Sequence, residues 1–166
     1  MSGTYARDKD GVVASMLIAE MAAYYKTKGM TLLDAVENLY KKYGYYVETT
    51  DNIGFAGVDG TEKMRAIMDG MRKSPPEIIA GHKIIAVRDY KTGEVKDCLT
   101  GKISGTELPK SDVLYFDLEN GTKVIIWPSG TEPKIKIYYL VASADKKSAD
   151  EQISALKTAM SGYVSG

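Results

Sequence analysis

The chain has 166 residues, 44% of them hydrophobic, and its 22 basic residues are matched by 22 acidic ones. That balance gives no sign of a surface built for nucleic acid or another polyanion, where a basic excess is expected, and the length allows one ordinary domain or two small pieces. The single cysteine, Cys98, excludes an internal disulfide and fits a reducing cytosol. No apolar run nears the ~18 residues of a membrane span, and the N-terminus lacks a signal peptide's basic-then-apolar order.

Met1 to Arg7 shows no periodicity, and the chain reads as beginning in mid-protein. Asp8 and Asp10 precede a helical run and suit capping of its free N–H groups; metal ligation is the other use open to them. Val13, Met16, Leu17, Met21 and Tyr24 give that helix a wide apolar face, and Lys26, Lys28 and Gly29 stop it. Thr31 to Asp34 resembles a capping box. Leu32, Val36, Leu39, Tyr40 and Tyr43 repeat at helical spacing as far as Gly44. The tyrosines of this part suit a packed seam between helices, or else a stacking platform. Two helices cannot enclose a core alone; they need a sheet or further helices, which supports truncation of this part.

Residues 46–58 read as a linker with some strand character, and a second unit follows over 59–166. Met64, Ile67, Met68 and Met71 form a core-facing helical stripe, ended at Ser74-Pro75-Pro76. Strand signals come next at 83–90, 94–99, 112–119 and 122–127, with Asn120-Gly121 as a hairpin turn. Residues 101–110 look irregular. His82, just before a strand, has no partner in its own segment and reads as a surface residue. A strand over 134–141 and a helix capped by Asp145 finish the chain. Helix, antiparallel strands and helix make an α+β fold: a small antiparallel sheet with helices on one face. Helical His/Glu motifs and paired cysteines are absent, so no metal site is expected.

Between the last two strands lies Trp127-Pro128-Ser129-Gly130-Thr131-Glu132-Pro133-Lys134. Pro128 and Pro133 lack N–H donors, so pairing should stop at each. Gly130 allows amides to converge as a nest for phosphate or carboxylate. Ser129 and Thr131 add hydroxyls, and Lys134 a positive charge. Without Walker spacing this is not a nucleotide P-loop. The residues alone leave open an anion loop or an ordinary strand connection.

The run Pro128 to Lys134, PSGTEPK, resembles the phosphate-binding loop in the last domain of the α-D-phosphohexomutases, the phosphoglucomutase/phosphomannomutase family. Arg7-Asp8-Lys9-Asp10 and the helix after it are similar to a segment of that family's third domain, which implies that residues 1–45 are the helical tail of that α/β domain, truncated here. The resemblance implies substrate phosphate binding by Ser129, Gly130, Thr131 and Lys134. Trp127 stands where the family has arginine, and Glu132 and Lys136 adjoin the loop as secondary candidates. Lys136 should share a strand face with Lys134.

The family's chemistry moves phosphate between the 1 and 6 positions of a hexose through a phosphoserine and a bisphosphate intermediate. The chain holds neither a Ser-His context nor an Asp-Gly-Asp-Gly-Asp metal loop. The resemblance therefore implies a C-terminal part of a cytoplasmic mutase, inactive alone. Its expected partners are hexose phosphate and the remaining domains, with no nucleic acid or membrane. No cofactor belongs to this part, while magnesium is expected for the whole enzyme. A self-contained module that senses a phosphorylated small molecule, or a plain structural domain, are the alternatives.

Overall fold

The computed structural model describes residues 9–164, and these divide into two compact units with the boundary between Gly44 and Tyr45. Arg7 and Asp8 lie outside the described residues. The first unit is a helical pair, α1 (Gly11–Thr27) and α2 (Leu32–Tyr43). Asp10 caps α1 by accepting the Val13 N–H at 3.0 Å, which gives Asp10 the capping use of its two. Thr31 and Asp34 form the full capping box of α2. Little of this unit is enclosed: α1 buries none of its residues and α2 only Ala35. Val12, Met16 and Ile18 each stand more than half exposed.

The second unit is one antiparallel sheet with two helices. In chain order it runs β1 (Tyr45–Gly54), α3 (Gly60–Lys73), β2 (Ile78–Ile79), β3 (His82–Asp89), β4 (Glu94–Asp97), β5 (Ile103–Gly105), β6 (Leu114–Leu118), β7 (Lys123–Pro128), β8 (Lys134–Ser143) and α4 (Lys146–Val164). The eight-stranded sheet has the order β1-β8-β7-β6-β3-β4-β5, and β2 pairs with β3. Alternation sets its two faces. Ile135, Ile137, Tyr139 and Val141 of β8, Val124 and Ile126 of β7, and Leu114, Phe116 and Leu118 of β6 are buried. They pack with Met64, Met68 and Met71 of α3 and Leu156 and Met160 of α4 in one core. Asp145 caps α4 through the Ser148 N–H at 2.9 Å.

The linker expected over residues 46–58 is instead largely strand. Tyr45 to Gly54 pair with β8 over ten positions, from Tyr45↔Ser143 to Gly54↔Lys134. A charged lock reinforces the ladder. The Asp51 carboxylate accepts from the Tyr139 hydroxyl at 3.1 Å and from the Lys157 ammonium of α4 at 2.7 Å. Burial, aided by the Asp51 charge and hydrogen bond, raises the Tyr139 hydroxyl far above its ordinary pKa, so it stays a donor. Polar residues at 48–52 conceal this strand because it is an edge, with partners on one side only.

Two further strands escape the sequence signals. In β2 and β3, Ala80 (φ 50°) and Gly81 (φ 83°) form the connecting turn, and His82 pairs with Ile79 inside β3 rather than preceding it. Both central residues having positive φ marks the hairpin turn favoured by strand twist. In the stretch read as irregular, Ile103 to Gly105 add β5 as an exposed edge against β4.

The sheet's second face carries polar side chains. There Asp117 of β6, 7% exposed, accepts from Arg88 Nε at 2.8 Å and Lys123 Nζ at 2.9 Å. Burial opposes its charged form, but the hydrogen bonds from Arg88 and Lys123 outweigh burial and hold the carboxyl below its ordinary pKa. A depressed carboxyl stabilises the fold above the unfolded-state pKa, and that contribution is lost as pH falls through the folded value. Asp117→Asn should therefore cost about 1.5 kcal/mol at neutral pH. It should also flatten the loss of stability below about pH 4, as read by urea unfolding across the acid range.

Close packing also governs the start of α3. A Cβ added at Gly60 would lie 2.3 Å from the Phe55 carbonyl oxygen and 3.1 Å from Pro133 Cβ. Gly70 of the same helix has open space around it. Gly60→Ala should cost roughly 1–3 kcal/mol, whereas Gly70→Ala should gain up to about 1 kcal/mol through helix propensity. Equilibrium unfolding of the two variants checks the contrast.

Candidate anion-binding site

The ladder of β7 and β8 ends at Trp127↔Lys136 and Pro128↔Ile135. Pro128 can donate nothing further, so the chain leaves the sheet there. The loop is closed at its base by the Ser129 N–H, which donates to the Lys134 carbonyl at 2.8 Å, and by the Lys134 N–H, which donates to that of Glu132 at 2.8 Å. A third bond, from the Phe55 N–H to the Pro133 carbonyl at 2.8 Å, ties the loop to the segment entering α3.

The tip is left open. Gly130, Thr131 and Glu132 are exposed. Thr131 N–H reaches only the Ser129 hydroxyl, at a long 3.4 Å. Among the described residues the Gly130 and Glu132 amides have no hydrogen-bond partner. Gly130 does not adopt the left-handed φ that a nest of alternating handedness requires. Its contribution is steric: a Cβ there would meet nothing within 4 Å, so the backbone lies bare to an approaching group.

A cavity of about 300 Å³ separates the loop from α3. Ser129, Gly130, Thr131 and Glu132 form one wall, and Thr61 and Arg65 of α3 stand in the other. Helical spacing places Thr61, Met64, Arg65, Met68, Asp69 and Arg72 along the same side of α3, and all six border the cavity. Arg72, at its far end, is engaged: its Nε donates to Asp89 Oδ1 at 3.3 Å and its Nη2 to Asp112. Lys91 lies 3.7 Å from the Asp69 carboxylate. Arg65 is exposed, and among the described residues it has no acidic partner.

The remaining sequence candidates stand elsewhere. Lys134 and Lys136 do share a face of β8, opposite Ile135 and Ile137, but neither borders the cavity. The Lys134 ammonium pairs with Glu132 and, by that hydrogen bond and charge, holds the Glu132 carboxyl below its ordinary pKa. Lys136 Nζ sits 5.3 Å from the centre of the Trp127 ring, which is 40% exposed on the same open face. This cation–π contact occupies Lys136 without neutralising it. The structure thus unites Ser129, Gly130, Thr131 and Glu132 around one cavity and leaves Trp127, Lys134 and Lys136 outside it.

Sequence reasoning passed over Thr61 and Arg65. Their only signal was position: the methionine stripe that marks the buried side of α3 also aligns its polar border. Nothing in the chain order links that border to a loop some sixty residues later.

No protein-family profile matches the chain. Phosphoglucomutase of Staphylococcus aureus (strain bovine RF122) is 35% identical over 156 residues, which is 94% of this chain. That of Staphylococcus saprophyticus is 34% identical over 134 residues, or 81% of the chain. The chain spans about a quarter of these relatives' length, 28% and 24% respectively. The crystal structure of Paramecium parafusin, a phosphoglucomutase in its open form, superposes with a TM-score of 0.57 at 18% identity. It covers 97% of this chain, which matches 28% of that one, and at such low identity it supports the fold alone. Over nearly its whole length, then, this chain belongs to the phosphoglucomutase family, of whose members it represents a part.

Proposed function

We propose that this chain is the part of a phosphohexomutase that grips the substrate phosphate not undergoing transfer. The observation that carries this reading is the proline-bounded loop 128–133, whose Gly130 and Glu132 amides lack a partner beside an open cavity. Unpaired amides and the Ser129 and Thr131 hydroxyls are what an oxyanion needs. Kinship to phosphoglucomutases supports a phosphohexomutase reaction; on the proposed reading it exchanges phosphate between the 1 and 6 positions of a hexose through a phosphoserine and a bisphosphate intermediate.

In that reaction the grip works at a distance from the bond being made. Holding the far phosphate supplies binding energy that orients the reacting hydroxyl. The intermediate must be released and turned end over end between the two transfers, which suits a loop exposed at the end of a sheet. The remaining domains are the expected partners, and the exposed apolar side chains Val12, Met16 and Ile18 of α1 are suited to cover by them. Magnesium belongs, on this reading, to another part of the enzyme. Among the described residues no group of three or more His, Cys, Asp or Glu side chains is placed to hold a metal ion.

A cytoplasmic setting fits Cys98, which is free and exposed. No helix among the described residues is long and apolar enough to cross a membrane.

Alone, the chain offers one wall of a cleft, still open to water that weakens charge interactions. Inorganic phosphate should therefore bind weakly, with a dissociation constant on the order of 1 mM or above. Amide shifts in an NMR titration should concentrate at Gly130 and Thr131. Replacing Ser129 and Thr131 together by alanine should weaken binding about tenfold. Mixed with glucose 1-phosphate, the 166-residue chain should form no glucose 6-phosphate; turnover would show that the phosphoryl donor lies within it.

A further inference from the structure

We propose that Arg65 is the cation that completes the anion site, and that the phosphate enters the loop from the α3 side. The inference rests on the phosphate-grip reading of loop 128–133 and adds a residue and a direction of approach to it. Three observations converge on Arg65.

The first is charge left over after pairing. Around the loop, Lys134 is paired with Glu132, and Lys136 lies over the Trp127 ring. On the cavity side, Arg72 is bonded to Asp89 and Asp112, and Lys91 is near Asp69. Arg65 borders the same cavity and, among the described residues, has no counter-ion. A guanidinium with free donors presents a planar fork that matches two phosphate oxygens.

The second is place. Ser129, Gly130 and Thr131, the residues with hydroxyls and a bare backbone, border the cavity that Arg65 also borders; Lys134 and Lys136 do not. An anion against the loop tip in this cavity meets Arg65 and the Thr61 position across the gap. An anion on the opposite face of the sheet would have to displace Glu132 from Lys134 or draw Lys136 from its aromatic ring. Each of those moves costs an existing interaction, whereas Arg65 gives up only water.

The third is rigidity of the mount. Arg65 sits one turn into α3, whose Met64, Met68 and Met71 are anchored in the core. The helix start is fixed against Phe55 and Pro133 by the close approach at Gly60. The Phe55 N–H in turn bonds the Pro133 carbonyl at 2.8 Å. Loop and arginine are thus held in one frame, so little ordering remains to be done when the ligand binds.

The test is a titration of the 166-residue chain with inorganic phosphate, followed by amide shifts at Gly130 and Thr131. Variants Arg65→Ala and Arg65→Lys are compared with Lys63→Ala, a charge-matched control on an exposed position of the same helix. Arg65→Ala should raise the dissociation constant about tenfold, the scale of one charge-assisted hydrogen-bond pair at an accessible site. Arg65→Lys should recover part of that loss, and Lys63→Ala should match the parent chain. Among the described residues Arg65 has no partner, so its variants should keep the parent spectrum away from the site. If the loop amides shift in Arg65→Ala with the parent's dissociation constant, Arg65 is overturned while the phosphate grip stands. If Lys63→Ala weakens binding as much as Arg65→Ala, the effect is net charge and the assignment fails. If the parent chain shows no shift at the loop, the grip and the role of Arg65 fall together.

Discussion

Strand β8 is the member on which the rest of the second unit is built. It is paired along both edges, with β1 over ten positions and with β7 over six. Its inner row of Ile135, Ile137, Tyr139 and Val141 is almost wholly removed from water. The helix α4 is held to the β1–β8 ladder through Asp51, which accepts from both Tyr139 and Lys157. Burying three or four large side chains at roughly 1.5–3 kcal/mol each outweighs any single polar contact in the unit. The loop 129–133 emerges where this strand begins, so its base inherits the stiffness of the sheet while its tip has none of the ladder's hydrogen bonds.

Proline sets where the ladder stops and the loop starts. Pro128 is the last paired residue of β7, and Pro133 stands just before Lys134 opens β8. Among the described residues the loop's backbone bonds close its base or tie Pro133 to Phe55, and the Gly130 and Glu132 amides at the tip make none. The arrangement of charge follows a similar division. Most basic groups near the loop are already engaged with a carboxylate or an aromatic ring, and among the described residues Arg65 on α3 is not. That division of charge is what favours, on the proposed reading, an anion in the gap between loop and helix over one on the sheet's outer face.

How much of this was legible in the chain depended on the range of the interactions concerned. Local ones read well. The Thr31–Asp34 box, the Asp10 cap, the methionine stripe of α3 and the Asn120-Gly121 hairpin all follow from contacts within a few residues. Edges read poorly. Tyr45 to Gly54 carry threonine, aspartate and asparagine, and their strand state comes from a partner almost ninety residues later. Ile103 to Gly105 are exposed on every side chain, so no alternation could mark them. The turn at Ala80-Gly81 is built on a left-handed alanine, a residue that does not advertise positive φ.

The amino-acid order by itself determined the family, the α+β class and the position of the proline-bounded loop, because motif, periodicity and turn chemistry are written in neighbouring residues. Tertiary structure decided which charges remain available. Lys134, Lys136 and Trp127 lie beside the loop in the chain, yet pairing and strand alternation turn them away from its cavity. Arg65 is distant in the chain, yet helix geometry and the close contact at Gly60 set it on that cavity's wall. Side-chain charge is local information, but its neutralisation depends on partners that only folding brings within reach.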